Sequence, residues 1–369
     1  MTEQHETTKI SEPITESMPE PADAAAEKKQ LLIFLLVAFG VTYAMGLLTW
    51  YGSTVSAEMS TFPNAQMYYP AVGVMLAYLI TRWKDALLPR WFYLCFIIVT
   101  VPMILCAVLS VFQKDQQLSL NGQSISLWSM LSQYIMIGGT ILCWIILLLS
   151  GKKRRAAYGL GFRQWKTSVL CVLLFLVLYF GRAAIIYIIG GQADIVLAIL
   201  KDPDTWSYLL LLTPLNFFLA FAPFLGEEYG WRYYLQPILQ KRFGLRGGVL
   251  ILGVAWGLWH IFLDFFFYTT PDKGMIMTLS QIITCVTLGI FFAWAYKKTN
   301  NFWVPVILHF LNNNLSVVVA NNYSAEIVQN QDVTWSMLPL QLIVNGILFG
   351  LFLLAREFRQ NDSVENDSK

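Results

Sequence analysis

Residues 206–232 read WSYLLLLTPLNFFLAFAPFLGEEYGWR. A run of apolar residues long enough to cross a bilayer as a helix, at about 1.5 Å of rise per residue, ends here in two adjacent carboxylates and an arginine. The run has company. Apolar segments of similar length recur at roughly 30–50, 67–81, 91–113, 127–150, 167–190, 247–267, 274–296, 302–320 and 336–355, which makes ten with 206–226. Of the 369 residues, 56 % are apolar and 13 % charged, a balance that suits a bilayer and not water. The expected fold is therefore an all-α polytopic membrane protein of about ten transmembrane helices. Because the segments recur along the chain, a cleaved signal peptide does not explain them.

The charges supply an independent test of that count. Translocated loops carry few Lys and Arg. With the N-terminus inside, the inner segments hold 21 of the 25 basic residues, including the run Lys152-Lys153-Arg154-Arg155. The outer loops hold Lys114, Lys201 and Lys273, and Arg182 sits within the fifth segment, where a structural or snorkelling role is the simplest expectation. Both termini then face the cytoplasm. The net charge of +2 comes with no basic stripe, which sets nucleic-acid partners aside. The five cysteines all fall in apolar segments without metal-ligand spacing. No internal or inverted repeat points to a transporter. Residues 1–27, rich in Glu, Thr, Pro and Ala, are expected to form a disordered tail.

Ionisable groups inside a membrane are costly, so those that persist are candidates for function. His260 and His309 lie in the seventh and ninth segments, while His5 lies in the tail. Glu227 and Glu228 stand at the inner end of the sixth. Glu228 and Arg232 are spaced i,i+4, the favourable orientation for an ion pair, which leaves Glu227 free to act. Two further i,i+4 pairs follow: Asp264 could orient the His260 imidazole, and Asn313 shares a face with His309. Trp256 lies one turn before His260 and could pack on its ring. At about 1.5 Å per residue, His309 lies roughly 10 Å from the inner surface and His260 nearer 20 Å. A cytoplasm-facing cavity would reconcile the two depths.

Glu227-Glu228-xxx-Arg232, Trp256-xxx-His260 and His309-xxx-Asn313, in that order on successive segments, resemble the three motifs of the CPBP family. That family includes the type II CAAX prenyl endopeptidases and bacteriocin-processing or immunity proteins. The resemblance covers roughly 205–320 and departs from the pattern at Trp256, where Phe is usual, at Tyr233, where Gly is common, and at Ile261, where Pro is frequent. It implies a CAAX-protease-like catalytic core at 201–325, preceded by variable transmembrane helices at 28–200 and followed by a last helix and polar tail at 326–369. It also implies a membrane-embedded endopeptidase, in a bacterial cell membrane, acting on a prenylated or CAAX-like protein or on a bacteriocin or pheromone peptide. The catalytic group would be Glu227, Glu228, His260, His309 and Asn313, supported by Arg232, Trp256 and Asp264. Glu227 and His260 would activate water and His309 and Asn313 would hold the oxyanion. Two alternatives stay open. Glu227, His260 and His309 could instead bind a divalent metal such as Zn²⁺ that polarises the water, although no HExxH is present. The protein could also be a non-catalytic immunity or scaffold protein of the same fold.

Overall fold

The computed structural model describes residues 23–120, 123–320, 322–323 and 325–359. Most of the expected N-terminal tail and the polar C-terminal tail lie outside them. The first helix begins inside the expected tail, at Ala24, because Asp23 caps it: its carboxylate accepts the Ala26 N–H at 2.7 Å. Helices occupy each of the ten expected places: α1 (Ala24–Thr54), α2 (Tyr69–Thr81), α3 (Arg90–Phe112), α4 (Leu127–Leu149), α5 (Trp165–Ile189), α6 (Thr213–Glu228), α7 (Gln236–Trp259), α8 (Gly274–Thr299), α9 (Trp303–Asn314) and α10 (Met337–Leu348). Among the described residues, six helical stretches suffice by length and composition to cross a membrane, and α9 and α10 are shorter apolar helices. One of the six, Pro203–Trp259, contains two of the expected segments. It is divided at Gly244, whose φ of 75° suits glycine. A Cβ on Gly248 would stand 2.5 Å from the Gln240 backbone, so the arms on either side of Gly244 fold back as a tight hairpin.

The surface is that of a bilayer protein. Leu149 is 79 % exposed and Val177 68 % exposed, an arrangement water would penalise and lipid accepts. The segment between α3 and α4, expected to be only an outer loop, forms a small antiparallel hairpin of β1 (Gln117–Leu120) and β2 (Gln123–Ser126). Its period-two pattern stands on either side of Asn121-Gly122, a dipeptide that hairpins favour.

Contacts sort the loops into two sets. At one end Ser60 pairs with Ser129 at 2.9 Å, Lys114 with the Val55 carbonyl at 2.8 Å, and Thr205 with Tyr323 at 2.9 Å. Lys273 and Asp332 pair there too, and Asp332 holds the lysine above its usual range. At the other end Tyr158 donates to Asp85 at 2.5 Å, Arg154 to the Ala86 carbonyl at 3.1 Å, and Lys298 pairs with Glu357 at 3.0 Å. These two sets are the Lys/Arg-poor and Lys/Arg-rich ends of the sequence analysis.

Close helix approach depends on two glycine pairs at i,i+4. A Cβ on Gly226 would meet the Met67 carbonyl oxygen at 2.3 Å, and one on Gly230 would meet Pro70 Cβ at 2.2 Å. Gly253 and Gly257 stand equally close to the backbone of Val286 and Ile282 on α8. Small residues at this spacing let membrane helices touch through their backbones. Gly230→Ala is expected to cost about 1–3 kcal/mol by overpacking and to lower the thermal midpoint in detergent. Gly138→Ala, with nothing within 4 Å of the new methyl, should leave the midpoint unchanged or raise it slightly.

Candidate active site

Pro223 positions the carboxylates. It has no N–H for the Leu219 carbonyl, and the helix breaks at Ala220 (φ −141°, ψ 28°). The turn after the break presents Glu227 and Glu228, both buried, and the chain continues as a π-helical stretch at Tyr229–Leu235. Arg232 is 0 % exposed, with its Nε 3.2 Å from Glu228 Oε2. The guanidinium also stacks over the Trp256 ring at 4.2 Å and faces Phe292 at 5.4 Å, contacts that favour a desolvated cation.

Glu228 has a second partner that sequence spacing did not reveal. His309 Nδ1 lies 2.8 Å from Glu228 Oε1. The carboxylate thus joins Arg232 on its own helix to His309 on α9. A carboxylate accepts, so Nδ1 carries the proton and Nε2 is the remaining ring position.

Glu227 is not free on both sides. Its Oε2 accepts the Trp256 indole N–H at 2.6 Å and the Trp231 indole N–H at 3.3 Å. Trp256 therefore does more than pack against His260, whose ring centroid is 6.2 Å away. An indole N–H at this position reaches a carboxylate that phenylalanine could not. Tyr233 stacks on Tyr229 at 4.5 Å and fills the space left by Gly159, where a Cβ would meet its ring at 2.3 Å. Nothing in the structure explains Ile261.

Asp264 does not orient His260. The His260 Nδ1 is taken by the Trp256 carbonyl at 2.8 Å, and both Asp264 carboxylate oxygens lack a hydrogen-bond partner among the described residues. The turn between them is intact, with the Asp264 N–H donating to the His260 carbonyl at 2.9 Å, so it is the His260 ring, turned back to the Trp256 carbonyl, that leaves Asp264 without its Nδ1. A carbonyl can only accept, so Nδ1 donates and Nε2 of His260 carries a lone pair.

The mismatch in depth has a simple cause. The turn before α9 is sunk into the protein, with Thr299, Asn301 and Phe302 all 0 % exposed, whereas Lys241 to Phe243 beside the Gly244 turn are exposed. Counting residues from a common surface therefore misplaced one helix against the other. The rings of Trp256 and His309 meet at 5.3 Å.

Glu227, Trp256, His260, His309 and Asn313 line one cavity of about 660 Å³. Asn313 is exposed to it, its Oδ1 accepting from Asn312 Nδ2 at 3.0 Å. The rest of the wall includes Ser60, Asn64, Gln133, Tyr208, Gln329 and Gln341, residues at the Lys/Arg-poor ends of the helices. The cavity therefore opens at the Lys/Arg-poor end of the helices, not at the Lys/Arg-rich end where a cytoplasm-facing cavity was expected. No lining residue comes from the basic segments at 82–90, 152–166, 241–246 or 297–298.

Glu227 Oε2 is committed to two indoles, and Glu228 to Arg232 and His309. Among the described residues no three His, Cys, Asp or Glu side chains are placed to hold a metal ion.

Comparison with known proteins gives two findings. Residues 209–315 match the family model described as type II CAAX prenyl endopeptidase Rce1-like. The chain is 27 % identical over 129 residues to "CAAX prenyl protease 2" of Methanococcus maripaludis, a match that covers 34 % of this chain and 47 % of that protein. The chain thus spans about half the length of the curated relative it matches. No solved structure matches it. Both findings support a CAAX-protease-like family, and the family model falls on the part of the chain that carries the three motifs.

Proposed function

We propose that this CAAX-protease-like membrane protein is an endopeptidase that hydrolyses a membrane-associated peptide, prenylated and CAAX-like or of the bacteriocin or pheromone type, in the cavity floored by Glu227. The observation that carries this reading is that Glu227, His260 and His309, on the wall of a single cavity, are each committed to protein partners at one polar atom. The second polar atom of each is then available to a reactant.

In this mechanism Glu227 Oε1 and His260 Nε2 share the proton of a water whose oxygen attacks the scissile carbonyl carbon. The carbonyl electron pair moves to oxygen. His309, protonated at Nε2 and balanced by Glu228, donates to that oxyanion together with the Asn313 amide. As the C–N bond breaks, the proton taken from water passes to the leaving amine, which gives one carboxylate and one amine. Glu228 and Arg232 act by holding His309 and the turn that carries Glu227. No step requires a metal.

By the positive-inside rule the Lys/Arg-rich ends and both termini lie in the cytoplasm. The cavity then opens toward the other face, and the peptide reaches it from that side of the membrane.

The test is hydrolysis by purified full-length protein in lipid bilayers, with a library of lipidated peptides read by mass spectrometry. Asn313→Ala should lower kcat about 10²- to 10³-fold at unchanged KM, the loss of one oxyanion donor. Trp256→Phe keeps a ring over Arg232 but removes the donor to Glu227, and should lower kcat about 10-fold or more. Unchanged kcat in Asn313→Ala contradicts the oxyanion role. Loss of activity on chelation, restored by Zn²⁺, would reassign the water to a metal.

A further inference from the structure

Arg182 stands in the cavity wall. Snorkelling would have carried it to a lipid headgroup, yet its guanidinium lies 4.6 Å above the Tyr179 ring and 5.9 Å from the Phe349 ring. The Tyr179 hydroxyl in turn donates to the Asn312 carbonyl at 3.1 Å, one residue from Asn313. Two rings thus fix the plane of the cation, and one of them is tied to the helix that carries His309 and Asn313. Among the described residues Arg182 has no carboxylate partner.

The remainder of the wall has a definite chemistry. Apart from Glu227 and the two histidines, Arg182 is the one lining side chain with a formal charge at neutral pH. Amides recur around it, among them Asn64, Gln66, Gln133, Gln281, Gln329 and Gln341. Amide side chains donate to and accept from peptide backbone, and a guanidinium fork matches a carboxylate. A cation without an anion inside a membrane protein is costly, so a ligand that brings the anion is favoured.

We infer that Arg182 binds a carboxylate of the peptide substrate, namely the free C-terminal carboxylate, and so sets how far from the chain end Glu227 and His260 act. The alternative source of the same group is an Asp or Glu side chain of the peptide. The inference rests on the peptidase reading, and two readouts separate the two.

The lipidated peptide library is made once with free C-terminal acids and once with C-terminal amides. Wild-type protein should cleave the acids about 10- to 100-fold better in kcat/KM, the range expected for a charge-assisted hydrogen bond. Arg182→Gln should abolish that preference, and Arg182→Lys should restore part of it. In parallel, Glu227→Gln protein is used to capture peptides without turnover. It should retain acids over amides, and Glu227→Gln/Arg182→Gln should not. Equal cleavage and equal capture of acids and amides by proteins with Arg182 intact overturns the inference. Selection of Asp- or Glu-containing members irrespective of the terminus overturns it in favour of the side-chain source. Absence of cleavage with capture of acids through Arg182 contradicts the peptidase reading and upholds the inference.

Discussion

Glu227→Gln should remove hydrolysis while leaving the protein folded. The amide keeps an oxygen where Oε2 accepts from Trp256 at 2.6 Å and from Trp231 at 3.3 Å, so the packing around the side chain survives. What disappears is the group that takes a proton from water. General-base catalysis contributes about 10²- to 10⁴-fold, and loss of the oriented water adds to it, so turnover should fall at least about 10³-fold. The measurement is single-turnover cleavage, with the thermal midpoint in detergent as the check on folding. His260→Ala should give a comparable loss, because its Nε2 is the second base of the proposed mechanism.

Glu228→Ala should be the most destabilising substitution in the core. It leaves Arg232, 0 % exposed, and His309, 4 % exposed, without their shared carboxylate. Removing one member of a buried ion pair typically costs about 3–5 kcal/mol because the other charge is left unpaired. A large fall in the thermal midpoint is expected. Glu228→Gln/Arg232→Met, which removes both charges, should recover much of the stability and none of the activity, since His309 still lacks its anion. If the double variant is as unstable as Glu228→Ala, the ion pair is not the reason for the loss.

The helical architecture was legible because each segment announces itself locally, by length and by the charges of the loops beside it. The ion pair of Glu228 with Arg232 was legible for the same reason, since i,i+4 spacing on one helix is local. The partners of Glu228 and Glu227 on other helices were not. The contacts with His309 and Trp256 depend on how α6, α7 and α9 pack, which no spacing along one helix records. Asp264 was misjudged because i,i+4 spacing fixes only the backbone turn, which is present, while the His260 Nδ1 is taken by the Trp256 carbonyl. The end of the helix bundle at which the cavity opens was misjudged by counting depth from flat surfaces, whereas Asn301 and Phe302 lie inside the protein. The β1–β2 hairpin was missed because the hydropathy of the flanking spans obscured the short alternating runs Gln117–Leu120 and Gln123–Ser126.

The central claim is that Glu227 delivers water to a peptide bond inside the membrane protein. Its most direct test is to incubate purified full-length protein in bilayers with the peptide library in oxygen-18 water and to read the products by mass spectrometry. Wild-type protein is expected to release fragments with one heavy oxygen in each new carboxyl group, and Glu227→Gln protein none above background. Labelled fragments formed equally by both proteins, or by neither, would contradict it.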